Sequence, residues 1–239
     1  MSTPENGRDK VVGVLGGMGP EATIDFCSKL LRITPAKKDQ EHLHVIIDSN
    51  GKIPDRSAAL RGEGESPVPA MQAMAKGLQA AGAELIAIAC NTAHYYYQEV
   101  QDAVSIPVLH IQKETYRNLQ QRYPDATKVG LLATTMTVKT GLFQKFAGEA
   151  GVQLVLMPAT QQETLVSAAI AAVKAGDKST GTALVLQACA ILVQLGAEVV
   201  IAGCTEIPLV LTDGDISIPV IDSSMALAEA TLAMARSED

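Results

Sequence analysis

The sequence predicts an α/β protein of two similar domains with mainly parallel sheets, related by a pseudo-twofold axis, with a site in the cleft between them. Three observations carry this. Buried apolar stretches alternate with amphipathic ones along the chain, the pattern of parallel sheets with helices on both faces. Segments of the first half recur in the second: "AGAELIAIAC" (81–90) with "LGAEVVIAGC" (195–204) at a spacing of 114, "VGVLGG" (12–17) with "VGLLAT" (129–134) at 117, and "IPVLHI" (106–111) with "IPVID" (218–222) at 112. Each half ends an equivalent strand on a cysteine, Cys90 and Cys204.

The elements follow in order. "KVVGVLGG" (10–17) is a β-branched apolar run that breaks at glycines, and "PEATIDFCSKLLRI" (20–33) has helical periodicity with Pro20 at its start. "HVIIDSN" (44–50) reads as a strand and "PVPAMQAMAKGLQAAG" (67–82) as a helix closed by Gly82. "ELIAIAC" (84–90) and "IPVLHI" (106–111) follow as strands. The order then recurs: strand 128–135, helix 139–150, strand 152–158, helices 161–175 and 179–195, and strands 198–204 and 218–224. The expected domains are 1–112 and 113–223, with a C-terminal helix (224–239) returning to the first.

With 239 residues, 47 % hydrophobic and 19 % charged, the chain is long enough for a substantial core and reads as globular rather than disordered. A net charge of −7 without any Lys/Arg cluster argues against nucleic acid as a partner. The polar start "MSTPENGRDK" lacks the apolar core of a signal peptide, and no apolar run approaches the ~20 residues of a membrane helix. A cytoplasmic location with four reduced cysteines (27, 90, 189, 204) is the expectation. The cysteines show no CxxC spacing, and Cys90 with His94 makes only two ligands, so no metal is expected.

In open α/β sheets ligands bind beyond the carboxyl ends of strands. Two facing halves would then set Cys90 and Cys204 on opposite sides of one cleft. A helix starting behind each strand would favour thiolate over thiol. Like-charge repulsion within one pocket would leave one thiolate and one thiol. A base on one face of a carbon and an acid on the other can invert a stereocentre without a cofactor. "CNTAH" supplies Asn91, Thr92 and His94 behind the first thiol, and "CTEIP" supplies Thr205 and Glu206 behind the second. The short amide and hydroxyl groups suit a carboxylate, and His94 and Glu206 stand where they can tune the thiols.

"GVLGGMGPEAT" (13–23), "ACNTAH" (89–94), "GLLATT" (130–135) and "AGCTEIPL" (202–209) resemble the aspartate/glutamate racemase family, in its cofactor-independent aspartate racemase branch. The resemblance runs over nearly the whole chain. It implies a two-domain, homodimeric enzyme that interconverts L- and D-aspartate, or glutamate, with Cys90 and Cys204 catalytic and no pyridoxal phosphate. It implies substrate contacts from Met18, Asn91, Thr92, Ala93, Thr135 and Thr205. Arg56 of "PDR" and Lys174 of "VKAG" are implied to hold the substrate's carboxylates. Met136 stands where family members often carry glycine, and a side chain there narrows or reshapes the pocket.

Other readings of the same residues are simpler. Cys27 and Cys189 lie among apolar helix neighbours and read as core. Taken alone, Arg56 and Lys174 read as solvated surface charges. "GMGPEA" (17–22) loosely fits a dinucleotide fingerprint, but Asp48 lies about thirty residues on rather than ~20. The competing functions are a hydantoin-type or other racemase of the same superfamily, a non-catalytic amino-acid-binding module, and an NAD-linked oxidoreductase.

Overall fold

The computed structural model describes residues 8–237. Residues 1–7, within the polar start, and 238–239, the end of the expected C-terminal helix, lie outside the described residues. The first half runs β1 (Val12–Gly16), α1 (Pro20–Ile33), β2 (Val45–Ser49), α2 (Arg56–Leu60), α3 (Val68–Ala80), β3 (Leu85–Ile88), α4 (Tyr97–Gln101), β4 (Val108–Leu109) and α5 (Ile111–Arg122). The second runs β5 (Lys128–Leu132), α6 (Thr135–Lys139), α7 (Leu142–Ala150), β6 (Gln153–Val155), α8 (Ala159–Gln161), a π-helical stretch (Gln162–Ser167), α9 (Ala168–Lys174), α10 (Lys178–Gln194), β7 (Val199–Ala202), β8 (Val220–Asp222) and α11 (Ser223–Ala235).

The two sheets have one topology. Strand order is β2-β1-β3-β4 in the first and β6-β5-β7-β8 in the second, and every pairing is parallel. The central strands bury both faces, so their side chains alternate between two apolar layers. In β1, Val12 and Val14 pack with Phe26 and Leu30 of α1, while Leu15 packs on the opposite face with Met71, Ala75 and Leu78 of α3. In the second sheet Val129 and Leu131 pack with Phe143 of α7, and Leu132 packs with Val185 and Leu192 of α10.

The helix at the end of each half crosses over. Tyr116 and Leu119 of α5 pack with Val129, Leu131 and Val199 of the second sheet. Leu227, Ala228 and Ala235 of α11 pack with Val12, Val14 and Leu85 of the first. Lys29 of α1, only 8 % exposed, pairs with Asp25 and reaches Asp222 at 2.6 Å. Asp222 also caps α11, accepting from the N–H groups of Ser224 and Met225.

Several sequence expectations are corrected. The strand read at 106–111 is only Val108–Leu109; Ile111 already begins α5, a helix the sequence reading missed, and the expected boundary at 112 falls within it. The helix read at 139–150 is α7, which starts at Leu142 after Gly141 at φ +73°, and a separate short helix, α6, begins at Thr135 where the strand read at 128–135 was to end. The helix at 161–175 starts at Ala159 and passes through the π-helical stretch.

Candidate active site

Cys90 and Cys204 each follow their strand by two residues, at the carboxyl ends of β3 and β7. Backbone bonds fix these exits: the Ala89 N–H donates to the Leu15 carbonyl at 3.1 Å, and the Gly203 N–H to the Leu132 carbonyl at 2.8 Å. Gly203 passes so close to the second core that a Cβ there would lie 2.6 Å from Leu131 and 3.0 Å from Phe143. Both cysteines are 5 % exposed, and both line one gap of about 20 Å³. That is room for about one water. Met18, Asp55, Arg56, Ser57, Asn91, Thr92, Thr134, Lys174, Thr205 and Glu206 complete the lining. Cavities of about 480 Å³ and 320 Å³ adjoin it, both reaching Asp55 and Lys174.

The polar residues behind Cys90 tie the halves together. Asn91 Nδ2 donates to Ser223 Oγ at 2.9 Å, and Gln112 Nε2 donates to the Asn91 carbonyl at 3.1 Å. The Thr92 hydroxyl meets Thr137 at 2.8 Å and Thr134 at 3.2 Å. His94 is buried and touches the backbone of Cys90 rather than its thiol. Nδ1 bonds the Cys90 carbonyl at 2.8 Å, which makes it the protonated nitrogen, and Nε2 accepts from the Ile111 N–H at 3.1 Å. Burial holds the His94 pKa down to about 4, so the ring is neutral near pH 7.

Behind Cys204 the chemistry differs. Cys204 Sγ donates to Glu206 Oε2 at 2.9 Å, and the Thr205 hydroxyl donates to the same oxygen at 3.4 Å. Burial first, then the Glu206 carboxylate, push the Cys204 thiol well above its ordinary value, with Lys174 pulling the other way. The sequence reading expected a helix behind each strand to favour thiolate. That is corrected for both, since a 3₁₀ turn follows each, Thr92–Tyr96 behind Cys90 and Ile207–Leu209 behind Cys204, and the group adjacent to Cys204 is a carboxylate.

Arg56 and Lys174 bring two cations to the gap. Arg56 is 9 % exposed; its Nη1 donates to the Ile53 and Pro54 carbonyls at 3.4 and 3.1 Å, while Nε has no partner. Lys174 Nζ lies 3.9 Å from Glu206 Oε1. Burial alone would lower the Lys174 pKa, but Glu206, Cys204 and Cys90 outweigh it and raise it.

Two residues named from the sequence fall elsewhere. Ala93 is fully buried in the core beneath Cys90. Thr135 bonds Glu163 at 2.7 Å and Ser167 at 3.1 Å and lines the larger cavity; its neighbour Thr134, the N-cap of α6, faces the thiols. Met136 lies in the first turn of α6 and also lines the larger cavity. Asp55, Ser57 and Thr134 were not named from the sequence. Asp55 carried a signal, because Asp three residues before Ala58 in "PDRSA" is an N-cap pattern, and its side chain accepts the Ala58 N–H at 2.6 Å.

The sequence matches the model of the Asp/Glu/Hydantoin racemase family over residues 15–231. The chain belongs to this family. Among similar proteins is the broad specificity amino-acid racemase RacX of Bacillus subtilis (strain 168), 33 % identical over 230 residues that cover 93 % of this chain and 96 % of that one. The structure of Picrophilus torridus aspartate racemase superposes with a TM-score of 0.86 at 31 % identity, covering 95 % of this chain and 94 % of that one. An aspartate racemase homologue from Pyrococcus horikoshii OT3 superposes with a TM-score of 0.77 at 29 % identity, over 95 % of this chain and 100 % of that one. Membership in this racemase family supports the two-domain α/β reading over a dinucleotide-binding one. Among the described residues no helix is long and apolar enough to cross a membrane, and no group of three or more His, Cys, Asp or Glu is placed to hold a metal.

Proposed function

We propose that the protein is an amino-acid racemase that interconverts L- and D-aspartate, or glutamate, by a two-base thiol mechanism without pyridoxal phosphate. One observation carries the reading: Cys90 and Cys204, at equivalent strand ends of two like halves, line a single gap beside two cations. Arg56 and Lys174 bind the substrate's carboxylates, the Arg56 Nε being free to donate. Asn91, Thr92, Thr134 and Thr205 supply neutral hydrogen bonds. One cysteine, as thiolate, takes the Cα proton; the other, as thiol, delivers one to the opposite face. The reverse reaction exchanges their roles. Because the gap has room for about one water, substrate binding parts Arg56 and Lys174 and opens it toward an adjoining cavity. A homodimer in the cytoplasm is part of this reading.

A second reading widens the substrate range. The 480 Å³ cavity sets Met136, Ile170 and Ala171 among charged groups such as Arg61, Lys139 and Glu163, with room for side chains larger than aspartate's. The test covers both. The protein is incubated in D2O with each enantiomer of aspartate, glutamate and a panel of larger amino acids, with no cofactor added. Deuterium at Cα with loss of optical purity is the expected result; inert substrates across the panel would rule out racemisation.

A further inference from the structure

The repeat that makes the halves alike breaks just after the thiols, and one of the differences touches a thiol. Two residues after Cys90 stands Thr92, and two residues after Cys204 stands Glu206. Thr92 turns its hydroxyl to other threonines, whereas Glu206 turns its carboxyl to the thiol at 2.9 Å. Glu206 is 4 % exposed, and its Oε1 has no hydrogen-bond partner. We propose that Glu206 makes Cys204 the resting proton donor of the pair and leaves Cys90 the resting acceptor. The enzyme then meets one enantiomer ready to react and the other only after its protons redistribute. This rests on the two-thiol reading above and adds a direction to it.

The proton balance gives the consequence. The Cys90 thiolate takes the Cα proton, forming an S–H bond while the C–H electron pair passes to the substrate carbanion. The Cys204 S–H bond then breaks, and its proton forms the new C–H bond on the opposite face. Product leaves a thiol on Cys90 and a thiolate on Cys204, against the Glu206 carboxylate. Two anions at hydrogen-bond distance repel, so Cys204 regains a proton from water and Cys90 releases one. Reaction in the other direction begins from this disfavoured form.

Other groups face Cys204 as well. Lys174 from α9 and the backbone N–H of Glu206 favour its thiolate, while Arg56 from α2, Cys90 and Asp55 line the same gap. Glu206 prevails by proximity, since it holds the thiol directly while Lys174 stands 3.9 Å from Glu206 itself. The asymmetry cannot appear in kcat/KM, because two enantiomers of equal free energy must share that value. It is therefore read at the thiols.

Brief iodoacetamide pulses from about pH 6 to about pH 11, with each cysteine peptide quantified by mass spectrometry, measure the order of ionisation without substrate. Access is matched, both thiols being 5 % exposed. In the wild-type protein Cys90 should label at lower pH than Cys204. Glu206→Gln, which keeps size and an accepting oxygen, should move the Cys204 midpoint down by about one pH unit or more, roughly tenfold more thiolate at fixed pH. Glu206→Asp should fall between. Cys204 labelling first in the wild-type protein, or a midpoint unmoved by Glu206→Gln, would overturn the proposal. The wild-type order decides alone if the variants do not fold. Inert amino acids in D2O would refute the racemase reading while leaving this titration readable.

Discussion

Asn91 donates to Ser223 at 2.9 Å, and Ser223 donates in turn to the Ala202 carbonyl at 2.7 Å, so the residue behind one thiol is bonded to the strand that carries the other. The link is buried at both ends and spans the halves. Ser223→Ala leaves the Asn91 amide and the Ala202 carbonyl each short of a partner, which costs about 1–3 kcal/mol. Urea unfolding of Ser223→Ala, Asn91→Ala and the double variant should show non-additive losses, the double being milder than the sum. Strict additivity would mean that the two side chains do not work as one unit.

Cys90→Ala and Cys204→Ala should each abolish racemisation, since either change removes the donor from one face of the carbanion. The remaining thiol can still take and return a proton on its own face. Each variant should therefore exchange Cα hydrogen slowly in D2O for one enantiomer, and the two variants should prefer opposite enantiomers. Proton NMR of the Cα signal follows this directly. Exchange of the same enantiomer by both variants would rule out opposed thiols.

Arg56→Ala should lower kcat/KM for aspartate at least about tenfold, because a charged hydrogen bond to a buried carboxylate is worth roughly 1.5–3 kcal/mol. Arg56→Lys should recover little, since a point charge cannot reproduce both the carbonyl contacts of Nη1 and the free Nε. Unchanged kinetics in steady-state assays would return Arg56 to an ordinary structural cation.

The His94 pKa, lowered to about 4 by burial, sets an acid limit on stability. The unfolded chain takes up this proton below about pH 6.5, whereas the folded protein resists until about pH 4. The contribution is therefore complete above pH ~6.5 and is lost as pH falls toward ~4. Between about pH 7 and about pH 5 it amounts to roughly 2 kcal/mol. His110, held down to about 3 chiefly by burial, acts in the same direction. Urea midpoints should fall over this interval in the wild-type protein and fall less in His94→Gln.

What could be read from the sequence follows its apolar contrast. The bounds of α1 matched residue for residue because its apolar face is regular and Pro20 marks the start. The thiol-bearing strand ends were legible because the repeat displays them twice. Helix α5 was not, since it buries Gln112, Glu114, Thr115 and Asn118 along with its few apolar residues. Two of these side chains bond partners distant in sequence, Gln112 Nε2 to the Asn91 carbonyl and Asn118 to Glu229, which no local pattern reveals. The Thr134/Thr135 distinction depends on which threonine caps α6, a one-residue choice that "ATT" leaves open.

The crossed helices also bear on how the chain is made. Synthesis delivers β1 through β4 early, yet one face of that sheet packs against Leu227, Ala228 and Ala235, which leave the ribosome only after the whole second sheet. The first-made half therefore waits, with apolar surface uncovered, until α11 emerges, while α5 is ready to receive the second sheet as soon as β5 appears. A chain stalled before residue 223 would carry a nearly complete second half and an unfinished first one, the reverse of the order of synthesis.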